Sequence, residues 1–331
     1  MTPGPMLARR SLAGLLLTAA TVPASAQVGA DALPSWRDGP RRRAILDFLA
    51  ATTMEGSPDF VPPAERLAVF DNDGTLWIEQ PTYTQIAFAL DRLRALAPQH
   101  PEWQTQEPFR SALAGDQAGL AQSGLQGMMQ IISVTHAGMS PEAFHAIVLE
   151  WLGQARHPRF NRPYTELIYQ PMLELVGLFR ARGFRTCIVS GGTVEFMRPW
   201  TGRIYGIPPE NVVGTTFQMR FENGRLLRLP QLDLVDDGPG KPVGISRFLG
   251  RRPQAAFGNS DGDYEMLQYV TSAPGRRLGM IVHHDDAERE YAYDRQSHFG
   301  KLDRGLNDAA ARGWHLVSMR QDWSRIFPWS S

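Results

Sequence analysis

The chain has a single cysteine, Cys187, among 331 residues. An intramolecular disulfide and a zinc site built on several thiolates are both excluded. It has no excess of charge either: 34 Lys and Arg stand against 34 Asp and Glu. That balance removes the general electrostatic case for nucleic acid or an anionic membrane as a partner, since both need a basic excess or a basic face. Nor is there any run of about 18 uninterrupted apolar residues, so no segment reads as a permanent transmembrane helix. Repeats and low-complexity tracts are missing too. What is left is a globular chain whose function must come from local motifs.

The first motif present is an address. Residues 1–26 carry Arg9-Arg10, a short apolar stretch over 12–22, and Ala24-Ser25-Ala26 at a cleavage point. This is the layout of a signal peptide, and it predicts an exported protein, periplasmic or extracellular, with no membrane segment once the signal is removed. Arg9-Arg10-Ser11-Leu12 fits a twin-arginine signal as well as an ordinary secretory one.

After a loose leader and a helix over 41–54 (together 27–60), Leu67-Ala68-Val69-Phe70 is an apolar run between Pro62-Pro63 and Asp71-Asn72-Asp73-Gly74. Such a run predicts a strand buried on both faces of a parallel sheet. Over 83–156 the pattern turns helical, with one stripe at Ile86, Leu90, Leu93 and Leu96 and another at Phe144, Ile147, Val148 and Trp151. Beyond it come a helix over 172–182, a buried strand over 184–189, and a hairpin (212–220 and 225–229) turning at Asn223-Gly224. A short helix over 242–249, strands over 254–257 and 278–282, and a helix over 287–293 complete the series. Strands alternating with helices predict an α/β fold, a doubly wound parallel sheet. Its core covers 61–77 and 170–331, with a helical cap over 78–169 inserted after the first strand.

Functional groups of such a sheet gather beyond the carboxyl ends of its strands. The first strand delivers Asp71-Asn72-Asp73-Gly74-Thr75, the second Ser190-Gly191-Gly192-Thr193, and the third Gly258-Asn259-Ser260-Asp261-Gly262-Asp263, with Lys241 between the last two. Two carboxylates on alternate residues and a second acidic loop suit a hard divalent cation. A hydroxyl, bare glycine amides and a lysine suit the oxygens of a phosphoryl group.

The run from Asp71 to Leu76 resembles the first motif, DxDGT(L), of the haloacid dehalogenase superfamily. Ser190, Lys241 and the 258–263 loop follow in the order of that family's other motifs, most like its phosphoserine-phosphatase-like branch. The resemblance implies a Rossmann-like core and a Mg²⁺-dependent phosphatase acting on a small phosphorylated substrate. Asp71 would be the nucleophile that becomes a phosphoaspartate, and Asp73 the general acid and base, with its pKa raised relative to Asp71. Thr75, Ser190, Gly191 and Lys241 would hold the loop and the phosphate. Asp71, the Asp73 carbonyl, Asn259 and Asp263 would hold the metal. The fourth motif departs from the usual GDxxxD, since Asn259 stands where an Asp is expected. A carboxylate restored there would be expected to tighten the metal; alternatively, Asp261 takes the metal position.

Hydrolytic dehalogenation and a non-catalytic binding protein are the competing readings. The first needs neither a metal nor an acid at position 73, and the second is suggested by Asn259. Cys187 reads as a buried thiol in mid-strand, and His283-His284-Asp285-Asp286 as a strand end followed by a helix cap. Trp77, two residues past Thr75, is expected to face the cleft, whereas Trp103, Trp151 and Tyr164 read as core.

Overall fold

Leu67, Ala68, Val69 and Phe70 form a strand in which every residue is buried. In the computed structural model the described residues are Met1 and 32–330, and 33–330 of them belong to one compact unit. Apart from Met1, the signal sequence at 1–26 lies outside the described residues, as does 27–31 of the leader. The strands are β1 (Leu67–Phe70), β2 (Arg185–Thr193), β3 (Val212–Glu222), β4 (Arg225–Leu234), β5 (Ala255–Gly258), β6 (Leu278–Asp285), β7 (Ala292–Tyr293) and β8 (His315–Ser318). They make one sheet in the order β4-β3-β2-β1-β5-β6-β7, with β8 also on β6. Its centre is parallel, from β3 through β6 and on to β8, while β4 and β7 run antiparallel at the margins. This is the expected doubly wound α/β sheet.

Side chains alternate along β1, so its two faces enter different cores. Leu67 and Val69 pack with Cys187, Val189, Tyr264, Leu267 and Val270. Phe70 stacks on Phe257 and meets Phe179 edge-on, and Phe179 in turn stacks on Phe48. Helices therefore cover both faces: Pro40–Thr53 (α1) on one side and Tyr264–Thr271 on the other. Cys187 is fully buried, and burial pushes its thiol up to about 12, so it is an inert core residue.

Between β1 and the helix Gln170–Ala181 that leads into β2 lie α2 (Thr84–Leu96), α3 (Phe109–Ala114), α4 (Gln117–His136) and α5 (Pro141–Gln154). Ser140 caps α5 by accepting from the Ala143 amide, with Pro141 in its first turn. Ala89, Leu93, Trp103, Ala112, Ile131 and Ile132 form a second core, and Phe217 of β3 is part of it. The β3–β4 hairpin thus reaches past the sheet to pack on the inserted helices.

Three local expectations need correction. The strand expected to end at 189 runs on through Ser190, Gly191 and Gly192 to Thr193, with a register shift against β3 over that stretch. The segment 287–293 is not a helix. Asp286 Oδ1 accepts from the Arg289 amide for one turn, then the Glu290 carboxylate takes the Tyr291 amide and β7 pairs back on β6. Tertiary pairing ended the local helical signal. β8, only four residues long, was not anticipated.

Candidate active site

The Asp71 amide donates to the Phe257 carbonyl, extending the β1–β5 ladder by one residue before the chain turns. The amides of Thr75, Leu76 and Trp77 then all converge on the Asn72 carbonyl. Gly74 sits in this turn at φ 75°, and a Cβ there would lie 2.1 Å from Asn259 Nδ2. No other residue fits. His284 holds the turn from the opposite side, its Nε2 2.8 Å from the Gly74 carbonyl and its Nδ1 3.1 Å from the buried Glu290 carboxylate.

Lys241 is the electrostatic centre. Its Nζ donates to Asp71 Oδ1 at 2.6 Å, Asp263 Oδ1 at 2.5 Å and the Val189 carbonyl at 3.0 Å. All three ammonium protons are engaged. Lysine, aspartate and aspartate are each nearly inaccessible to solvent. Burial alone would lower the lysine pKa, but Asp263 and Asp71 outweigh it and raise it, so the ammonium is retained.

Asp73 accepts a 2.9 Å hydrogen bond from Trp77 Nε1. Burial pushes its carboxyl up to about 6, against the pull of that bond. The expectation that Asp73 is raised relative to Asp71 meets a complication. Asp71 is also raised well above its ordinary value, by burial first and then by Asp263 crowding the lysine it shares. Trp77 itself does not face the cleft: it is fully buried and stacked on Trp200, with its indole N–H turned to Asp73.

Ser190 Oγ accepts from the Gly192 amide, and Ser190, Gly191 and Gly192 line the same cavity as Asp71, Asp73 and Lys241. Gln85 of α2 ties the insertion to this wall: its Oε1 accepts from the Thr193 amide at 2.8 Å and its Nε2 donates to Thr193 Oγ1 at 2.7 Å. Tyr83, Ile86, Met128, Met129 and Ile132 of the insertion close the opposite wall.

In the third loop, Asn259 is buried, with its Oδ1 accepting from Thr75 Oγ1 at 3.1 Å. Asp263 Oδ2 accepts from the amides of Asn259 and Ser260, while its Oδ1 faces Lys241. Both of its oxygens are engaged, so in this geometry Asp263 shapes the loop and the lysine rather than offering a free ligand. The Asp261 carboxylate points elsewhere and accepts from the amides of Asp303, Arg304 and Gly305. Glu79 and Asp237 escaped sequence reasoning, and His284 was read as part of a strand end; all three reach the site through tertiary contacts that no local pattern announces.

The oxygens fit a hard divalent cation. Thr75 Oγ1 lies 3.1 Å from Asn259 Oδ1 and 3.4 Å from Asp71 Oδ2, so these two acceptors share one neighbourhood. One hydroxyl proton cannot serve both, which leaves an oxygen open to a cation. Charge points the same way. Asp71, Asp73 and Glu79 line one cavity with Lys241. Burial pushes Asp71 well up, with Asp263 and then Asp73 adding to it, and burial pushes Glu79 well up, with Asp73 and then Asp71 adding to it. A dication relieves that crowding. Among the described residues no ready-made cluster of three or more His, Cys, Asp or Glu side chains stands in metal-holding geometry; the donors here include an amide and a main-chain carbonyl.

A family model described as haloacid dehalogenase-like hydrolase matches residues 68–268. The structure is similar to that of a conserved, functionally unknown protein from Anaerococcus prevotii DSM 20548, with TM-score 0.51 and 15% identity over 74% of this chain and 86% of that one. It is also similar to a protein of unknown function from Bordetella pertussis Tohama I, with TM-score 0.50 and 17% identity over 76% of this chain and 98% of that one. At these identities the likeness shows the fold alone. No curated protein matches the sequence.

Proposed function

The chain belongs to the haloacid dehalogenase-like hydrolases, and on that premise we propose that it is a Mg²⁺-dependent phosphatase of small phosphomonoesters. The observation that carries this reading is the buried Asp71–Lys241–Asp263 contact at the floor of a cavity that Asp73 and Ser190 also line. A carboxylate beside a fixed ammonium is equipped to attack an anionic phosphoryl group.

In the first half-reaction an Asp71 oxygen attacks phosphorus and the bond to the ester oxygen breaks. The carboxyl proton of Asp73 passes to the departing alkoxide. Asp73, now ionised, takes a proton from water in the second half-reaction. That water attacks phosphorus, the bond to Asp71 breaks, and inorganic phosphate leaves. Burial suits Asp73 to the role, since a carboxyl pushed up to about 6 holds a transferable proton near neutral pH. Lys241 keeps Asp71 in place and offsets charge. Asp71, the Asp73 carbonyl and Asn259 would hold Mg²⁺, with Asp263 behind them. When bound, the cation neutralises charge shared by the nucleophile and the phosphoryl oxygens.

The apolar wall of Ile86, Met128, Met129 and Ile132 favours a leaving alcohol with an apolar body. Release of inorganic phosphate from a panel of aryl and alkyl monoesters, with Mg²⁺ and with a chelator, tests the reading. Turnover lost on chelation and restored by Mg²⁺ supports it. Halide released from a haloacid without metal, or no turnover of any ester, overturns it. The signal pattern at 1–26 supports export; a precursor retained uncleaved in the cytoplasm would contradict that.

A further inference from the structure

Asn259 occupies a position where a carboxylate is expected, and a neutral amide offers a dication less. Its side-chain nitrogen, however, is tied to an acid. Asn259 Nδ2 donates to Glu79 Oε1 at 2.6 Å, and the Tyr293 hydroxyl donates to the same oxygen at 2.7 Å. Glu79 is 1% exposed. The slot is shaped around it: a Cβ on Gly74 would lie 2.4 Å from Glu79 Oε1 and one on Gly300 only 1.8 Å away. Both glycines hold positive φ, 75° and 64°.

A carboxylate oxygen accepts and an amide N–H₂ donates, so the end of Asn259 facing Glu79 is the nitrogen. The carbonyl oxygen is thereby turned the other way, onto the Thr75 hydroxyl that also approaches Asp71 Oδ2. We propose that Glu79 is a positioning residue of the cation site: it holds Asn259 with its carbonyl oxygen toward Asp71. This rests on the divalent-cation reading above.

The pairing reverses one expectation from sequence. Asn259→Asp removes the donor and sets a second carboxylate against Glu79, at a place where the two heavy atoms are now 2.6 Å apart. It should therefore weaken Mg²⁺ binding instead of tightening it. Exchanging both partners, Glu79→Gln with Asn259→Asp, restores a donor facing an acceptor and returns a carboxylate to position 259.

The test is calorimetric titration of the mature chain with MgCl₂, alongside the Mg²⁺-induced rise in melting temperature; neither readout depends on turnover. The amide of Glu79→Gln can meet Asn259 with either its donating or its accepting end and so no longer fixes it one way round. That variant and Asn259→Asp should each weaken Mg²⁺ binding about tenfold, the scale expected when a ligand's supporting partner is disturbed. The double variant should return to within about threefold of the parent, the mark of a direct pairwise interaction. Glu79→Gln within about twofold of the parent, or Asn259→Asp binding more tightly by itself, overturns the assignment. If Glu79→Gln folds poorly, Asn259→Asp and the double variant still decide: no recovery in the double variant overturns it. A parent chain that neither binds Mg²⁺ nor releases phosphate brings down the cation reading and this assignment together. A parent that does both, with unaffected variants, brings down only the role of Glu79.

Discussion

The indole Nε1 of Trp77 donates a 2.9 Å hydrogen bond to Oδ1 of Asp73, and the ring is locked by stacking on Trp200 with centroids 4.4 Å apart. A core residue thus sets the rotamer of the proposed general acid. Trp77→Phe keeps an aromatic ring in the stack and deletes the donor together with part of the ring's bulk. Turnover of alkyl phosphates should fall about tenfold, part of the 10²–10⁴ that a positioned acid contributes, with a smaller loss for aryl phosphates, which need little protonation. Asp73→Asn should show the same bias at its full size. Equal losses on both substrate types would mean that Asp73 is structural.

Asp71→Asn should abolish turnover, by at least about 10³-fold, because an amide nitrogen does not attack phosphorus. The fold should survive. Lys241 keeps Asp263 and the Val189 carbonyl as partners, and a carboxyl raised by burial and by Asp263 is replaced with a neutral group. The melting temperature and the residual rate, measured on protein free of host phosphatase, check both statements.

Much of this site was legible because its parts are local. Leu67–Phe70 is a strand because four apolar residues lie between prolines and a polar turn, and the structure places it over those same residues. Asp71 and Asp73 follow the end of β1, Ser190 and Gly191 lie among the last four residues of β2, and Lys241 lies in the first turn of a helix, so their convergence on one cavity follows from topology. What escaped depends on distant partners. Glu79 has meaning only once Tyr293 and Asn259 meet it, from far along the chain. The 287–293 segment carries a helical signal that strand pairing of Ala292 and Tyr293 overrides. Trp77 lies next to the motif in sequence, yet its ring has a deeper partner in Trp200.

Asp261 was the rival for the metal position, and its carboxylate is occupied elsewhere by the amides of Asp303, Arg304 and Gly305. Asp261→Ala leaves these donors, two of them part-buried, short of an acceptor and should cost about 1–3 kcal/mol of stability. Mg²⁺ affinity should stay within about twofold of the parent, as for sites that share no partner. Chemical denaturation and calorimetric titration read the two effects separately. A large loss of Mg²⁺ affinity with unchanged stability would hand the ligand role back to Asp261.

Asp236, just beyond β4, is fully buried, and neither of its carboxylate oxygens has a hydrogen-bond partner of ordinary geometry. It presses on the helix that carries Lys241, since a Cβ on Gly244 would lie 2.1 Å from its Oδ1. Burial pushes its pKa up to about 7, against the opposing pull of Lys241. The unfolded chain holds the same group near 3.9, so between these values the native state binds the proton better. Its contribution to stability is therefore complete below about pH 4, declines as the pH rises, and is lost once the pH passes about 7. A shift of this size corresponds to at most about 4 kcal/mol. Asp236→Asn has the same shape and does not titrate. The variant should gain on the parent as the pH is raised from about 4.5 to about 8, by roughly 2–4 °C in melting temperature for each kcal/mol. Melting curves of the two proteins across that range make the comparison. A difference between them that does not change with pH would show that Asp236 stays ionised in the folded protein, and that Lys241 rather than burial governs its charge.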